Sequence, residues 1–172
     1  MKILRIDSVL SPDAPEVAIM ADSVMRPDGR PLFLPEGEWE CQIRPAIRIE
    51  RLGKAIGEQF SSRYYSQFTA VNYLRSLDGK PWPDMIDDTV VVGDYQALSD
   101  RPRTFQFDSQ SGDWLFDRPA FDRLLTALSQ RTTFKTGDLI ILPDVLMKYS
   151  PDVNMQVAVR VDGVPCLQFA IK

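Results

Sequence analysis

The chain has 172 residues, 44% hydrophobic and 26% charged, with a formal net charge of −4. That suits a single soluble domain over 1–172 with a core of its own, and it argues against nucleic acid and anionic membrane, which select basic faces. The chain has no histidine, which excludes Ser-His-Asp triads, Cys-His pairs and His-ligated zinc.

Arg5 and Asp7 break the first apolar stretch, so no signal peptide is read there. The run Leu139-Ile140-Ile141-Leu142 is far too short for a membrane span. Cys41 and Cys166 make no CxxC pair and read as buried, reduced thiols of a cytoplasmic protein.

In chain order, Ile3–Ile6 reads as a first strand and residues 16–20 as a second. Asp28-Gly29 and Pro35-Glu36-Gly37 mark turns. Ile43, Pro45, Ile47 and Ile49 then alternate with Gln42, Arg44, Arg48 and Glu50, the period of a strand. Pro45 has no N–H to give a ladder, so an edge or a bulge is expected there.

Residues 54–67 read as a helix with Ile56, Phe60 and Tyr64 on its core stripe. A second helix is expected over 117–130, capped by Asp117, opened by Pro119 and apolar at Phe121, Leu124, Leu125 and Leu128. Asp87-Asp88 reads as a turn before the buried run Thr89–Val92. Asp138–Leu142 is an apolar strand. Residues 154–161 and 167–171 alternate around Asp162-Gly163, a two-residue hairpin signal. The sum is an α+β domain, mainly β, with two short helices.

The order of these segments resembles the fumarylacetoacetate hydrolase family, above all its short bacterial members. The residues that carry the likeness are Arg51-Leu52-Gly53-Lys54, Phe60, Arg63-Tyr64-Tyr65 and Phe68-Thr69, followed by Gly137-Asp138-Leu139-Ile140 and the closing Leu167–Lys172. Met1-Lys2-Ile3 and the stretch from Asp22 to Pro35 resemble its opening. The resemblance implies a mixed β-roll or sandwich, a homodimer, and a pocket holding Mg²⁺ or Mn²⁺ that polarises small keto acids for hydrolysis, isomerisation or decarboxylation. Three carboxylates hold that metal, two of them in an E-x-E whose period of two puts both on one face of a strand.

This sequence departs from the family at those places. Counted back from Arg51, the E-x-E positions fall on Gln42 and Arg44. Counted from Phe68-Thr69, the aspartate falls on Asn72. Two family lysines fall on Asp84 and Met20, an early catalytic segment on Val9-Leu10-Ser11-Pro12, and a late turn on Leu142-Pro143-Asp144-Val145. A guanidinium about 4 Å from a divalent cation costs on the order of 8 kcal/mol at an effective dielectric near 20, and arginine offers a metal no lone pair.

The reading that follows is a catalytically degenerate relative with no cofactor. Arg44, paired with an acid such as Asp84, stands where the cation stood. The pocket either binds a small carboxylate, with Arg44 and Trp82 as contacts, or the chain serves as an interaction scaffold. The alternative is an active metal-dependent hydrolase or isomerase in which a bulge at Pro45 brings Glu38 and Glu40 in as displaced ligands.

Overall fold

Two long antiparallel strands, Trp39–Arg48 and Gln67–Ser76, pair from Trp39 opposite Ser76 to Ile47 opposite Phe68 and form the spine of the structure. This computed structural model describes residues 1–8, 15–79 and 83–172. The strands are β1 (Ile3–Ser8), β2 (Glu16–Met20), β3 (Met25–Pro27), β4 (Trp39–Arg48), β5 (Gln67–Ser76), β6 (Val90–Val92) and β7 (Gln96–Ala97). They continue with β8 (Arg103–Phe107), β9 (Gln110–Trp114), β10 (Leu139–Ile141), β11 (Met147–Tyr149), β12 (Gln156–Val161) and β13 (Val164–Ala170). The helix α1 spans Arg118–Arg131.

A mixed sheet runs β2-β1-β10-β4-β5-β6-β3, with β11 also on β4 and β7 also on β5. A second, antiparallel sheet runs β13-β12-β8-β9. Period-two alternation divides the spine between two environments. Ile43, Ile47, Phe68 and Ala70 face a core shared with Phe105, Trp114, Val159 and Phe169 of the second sheet. Ala46, Val71 and Tyr73 face the other way, with Ile3, Met20, Val90 and Leu139. The mainly-β α+β architecture with two short helices is as the sequence predicts.

The hairpin at Asp162-Gly163 forms with positive φ at both residues, 52° and 79°, which Asp and Gly tolerate. In α1, Asp117 Oδ1 accepts the Ala120 N–H at 2.9 Å, and the expected stripe is buried. The helix expected over 54–67 shrinks to a 3-10 helix at Glu58–Arg63. Its first turn is taken by neighbours instead. Gly53 exchanges backbone bonds with Phe134, the Ala55 N–H reaches Ser129 O at 2.9 Å, and the Ile56 N–H reaches Ser129 Oγ at 2.8 Å. Phe60, expected in the core, is 43% exposed.

Pro45 also differs from expectation. It lies in a central strand, opposite Ala70, with no register shift between Trp39 and Ile47. What breaks is its other neighbour. β10 pairs Ala46–Arg48 and β11 pairs Cys41–Ile43, and the chain loops out between them. The Pro45 C=O still accepts Leu142 N–H at 2.9 Å, and the missing N–H faces the gap, where no strand asks for it.

One buried ion pair ties the start of the chain to this sheet. Asp138 is 1% exposed and accepts from Lys2 Nζ and from the backbone N–H groups of Lys2 and Lys135. Burial pushes the Asp138 carboxyl up, but the Lys2 ammonium and the two N–H donors outweigh it and hold its pKa below the usual range. Asp138→Ala is expected to cost about 3 kcal/mol in urea unfolding at pH 7. A folded-state pKa below the unfolded one stabilises above about pH 4 and is lost as pH falls through the folded value. The gap between wild type and variant therefore holds from pH 7 to about pH 4 and narrows below it; a gap that widens in acid refutes the assignment.

Candidate functional site

The gap between β10 and β11 opens a cleft on the β1, β4 and β5 side of the sheet, with a volume of about 390 Å³. Period two aims Arg5 and Asp7 of β1, Gln42 and Arg44 of β4, and Tyr73 and Arg75 of β5 into it. Among the described residues, four cations line it, Arg5, Arg44, Arg75 and Lys148, against two carboxylates, Asp7 and Glu16.

Arg44 is 3% exposed and spans the gap. Its Nε donates to Leu142 O at 2.8 Å and its Nη2 to Ile6 O at 2.5 Å. These are carbonyls that a continuous strand would otherwise satisfy. The nearest carboxylate oxygen to its Nη1 is Asp7 Oδ1, at 3.7 Å. Burial pulls the Arg44 pKa down, and Asp7 opposes that shift.

Asp7 is engaged more closely by Arg5, whose Nε and Nη2 donate to its two oxygens at 2.8 and 2.9 Å. Arg5 Nη1 donates to Asp84 and to the Tyr73 hydroxyl, and Tyr73 in turn donates to Asp84 at 3.2 Å. Burial disfavours the Arg5 charge, but Asp7, Tyr73 and Asp84 outweigh it and its pKa rises. Burial also pushes the Tyr73 phenol up to about 12.

Several residues singled out in the sequence fall elsewhere. Gln42 and Arg44 do share a face, but Asn72 does not join them. It stands opposite Ile43 and points into the core, where its Nδ2 meets Cys41 Sγ at 3.5 Å and its Oδ1 accepts from Tyr149 Oη at 2.7 Å. The β5 residue on the cleft face is Tyr73, one position on. Asp84, expected to pair with Arg44, pairs with Arg5. Met20 packs in the apolar floor opposite Ile3.

Glu40 sits at the rim, accepting from Gln42 Nε2 at 2.8 Å, with Lys148 at 3.5 Å and Arg75 at 3.7 Å. The Gln42 bond, against a smaller opposing effect of burial, and then Lys148 and Arg75 hold its pKa low. Glu38 is exposed, and its N–H donates to Asp78. No bulge at Pro45 redirects either glutamate. Among the described residues, no three of Asp, Glu or Cys group so as to hold a metal ion. Trp82 and the segment Val9-Leu10-Ser11-Pro12 lie outside the described residues.

Arg5, Asp7, Tyr73 and Lys148 were not singled out as site residues from the sequence. The signal for Arg5 and Asp7 was present: two charges at period two interrupt an otherwise apolar strand.

The fold has solved counterparts. A 2-hydroxyhepta-2,4-diene-1,7-dioate isomerase from Mycobacterium marinum matches 99% of this chain and 73% of its own, with a TM-score of 0.81 at 15% identity. A protein assigned to the fumarylacetoacetate hydrolase family from Yersinia pestis CO92 matches over 99% and 92%, with a TM-score of 0.78 at 13% identity. A maleylpyruvate hydrolase from Sphingobium sp. SYK-6 matches over 99% and 69%, with a TM-score of 0.75 at 13% identity. The chain has a fold shared by hydrolases and isomerases. That fold is the one of the fumarylacetoacetate hydrolase family. No family model and no curated protein matches the sequence itself. Among the described residues, no helix is long and apolar enough to cross a membrane.

Cys41 and Cys166 are both free and buried. Burial pushes the Cys41 thiol up to about 11 and raises Cys166 as well. Neither is expected to react with Ellman's reagent at pH 8 in the folded protein, and both react in guanidinium. A fast native reaction would place a thiol at the surface.

Proposed function

We propose that this chain is a catalytically degenerate protein of the fumarylacetoacetate hydrolase fold that has lost the divalent-metal site, and that its cleft takes a small carboxylate instead. The observation that carries the reading is Arg44, a buried guanidinium on the face where the resemblance puts a cation. Mg²⁺ and Mn²⁺ need hard oxygen donors with negative charge close by. Among the described residues the cleft offers, beside Arg44, the Gln42 amide, the Tyr73 phenol, Asp7, whose two oxygens Arg5 already forks, and Glu16, which accepts from Ser8 Oγ, and these do not group as a set of metal ligands. That donor set does not fit a divalent cation.

It does suit a carboxylate, which guanidinium and ammonium groups bind by charge-assisted hydrogen bonds. The solved proteins named for a heptadienedioate and for maleylpyruvate act on small multiply charged acids, which supports that ligand class here. The reading with Glu38 and Glu40 as displaced metal ligands needs a register shift that β4 does not have. The homodimer belongs to this proposal through the resemblance. Light scattering tests it, with an expected mass twice the 19.5 kDa of the chain.

Calorimetry tests the ligand. Mg²⁺ and Mn²⁺ are expected to give no saturable heat. Oxalate and succinate are expected to bind, and Arg44→Glu to abolish that binding. Because Arg44 is buried, the exposed Arg75→Glu serves as a second variant, weakening the acids about tenfold. Saturable metal binding by the wild type overturns the degenerate reading. Silence toward both metal and acids removes the carboxylate and leaves the interaction scaffold.

A further inference from the structure

The segment that joins β4 to β5 builds a second cleft at the opposite end of these strands. Arg51 lies seven residues beyond Arg44 in sequence, about 23 Å if that stretch were fully extended. The cleft has a volume of about 360 Å³, within the range of small-molecule sites. Arg51, Lys54 and Arg63 line it, together with Leu52, Phe60 and Tyr64.

Three observations set it apart from a solvated basic face. The first is charge. No carboxylate lines it, and none of its three cations makes an ion pair among the described residues. Of the nearest acids in sequence, Glu50 is occupied by Ser66 Oγ at 2.7 Å, and Glu58 does not reach the lining. Three uncompensated cations in one concavity are unusual for a chain with a net charge of −4.

The second is rigidity. The bonds between Gly53 and Phe134, from Ala55 N–H to Ser129 O and from Ile56 N–H to Ser129 Oγ fix the wall of the cleft against α1 and the turn that follows it. Gly53 is needed there. A Cβ at that position would lie 2.4 Å from Cε1 of Tyr64, so only glycine lets the Tyr64 ring lie across the floor. The third is the aromatic surface. Phe60 is 43% exposed although large and apolar, and the Arg63 guanidinium stacks on it at 4.8 Å.

We infer that this cleft binds a small phosphorylated molecule carrying at least two negative charges, with its planar part against Phe60 and Tyr64. A single carboxylate would leave two of three cations unmatched. A diphosphate matches them, and arginine and lysine together are suited to phosphate oxygens. An aromatic floor beside a cationic wall suits a planar body joined to the phosphates, as in a nucleoside diphosphate. This site is independent of the carboxylate cleft at Arg44.

The test is calorimetry on the full chain at about 50 mM salt, where charge pairing is least screened, with inorganic phosphate, pyrophosphate and ADP as probes. Pyrophosphate is expected to bind more tightly than inorganic phosphate, and ADP more tightly still. Lys54→Glu and Arg63→Glu, both exposed positions, should each weaken pyrophosphate about tenfold or more. Phe60→Ala should weaken ADP and leave pyrophosphate unchanged. Arg75→Glu, in the other cleft, should change none of them. The inference fails if no probe gives saturable heat up to 10 mM. It also fails if ADP binds no better than inorganic phosphate, or if Arg75→Glu abolishes binding while Lys54→Glu does not. A failure of oxalate and succinate to bind at Arg44 leaves this result untouched.

Discussion

The clip that Arg44 places across the broken edge of β4 shapes everything around it. β4 loses its neighbour where β10 ends and β11 has not begun. A buried break of this kind leaves main-chain carbonyls without partners, at about 1–3 kcal/mol each. Two devices close it. Pro45 has no N–H to satisfy, and the fork of Arg44 reaches both Ile6 and Leu142. The guanidinium is thus a structural part of the sheet and, by the same geometry, the innermost cation of the cleft. These roles do not compete, because its remaining N–H groups point toward Asp7 and the opening.

The surrounding charges follow from that placement. A buried guanidinium held mainly by neutral carbonyls needs negative charge nearby. Asp7 supplies it at 3.7 Å while forking Arg5, and Asp84 completes the balance of Arg5. The charges of these four groups sum to zero. The floor beneath is apolar, with Met20, Val24, Val71 and Val90. Polar function is therefore confined to one end of a face that is otherwise core.

Much of this was legible in the sequence. The alternation of Met155–Val161 and the Asp162-Gly163 turn are local signals, and the hairpin formed as they predict. So did α1, whose cap and stripe lie within one segment. The helix expected over 54–67 was lost to tertiary bonds from Phe134 and Ser129, which no local pattern encodes. The β8–β9 hairpin went unread because Arg103, Thr104, Gln106 and Asp113 dilute the alternation of Phe105, Phe107 and Trp114. In the candidate site, Gln42 and Arg44 share the cleft face, as their spacing of two predicts, whereas Asn72 is one residue away from Tyr73, which lines it. One step along a strand reverses the face, so Asn72 lies in the core and Tyr73 lines the cleft.

The two clefts differ in how their cations are held, and that difference bears on what each can do. At Arg44 the charges are matched internally, so a ligand must compete with Asp7 and Asp84 for the same donors, and binding there is an exchange of partners. Selectivity then depends on geometry, since only an acid that fits the fork of Arg5 and Arg44 recovers what it displaces. At Arg51, Lys54 and Arg63 nothing among the described residues is displaced except water and salt ions. Binding there gains from charge alone, is weakened by screening, and discriminates through the aromatic floor. One strand pair thus carries, at its two ends, a compensated cationic site built into the sheet and an uncompensated one built on a loop that the sheet and α1 hold rigid.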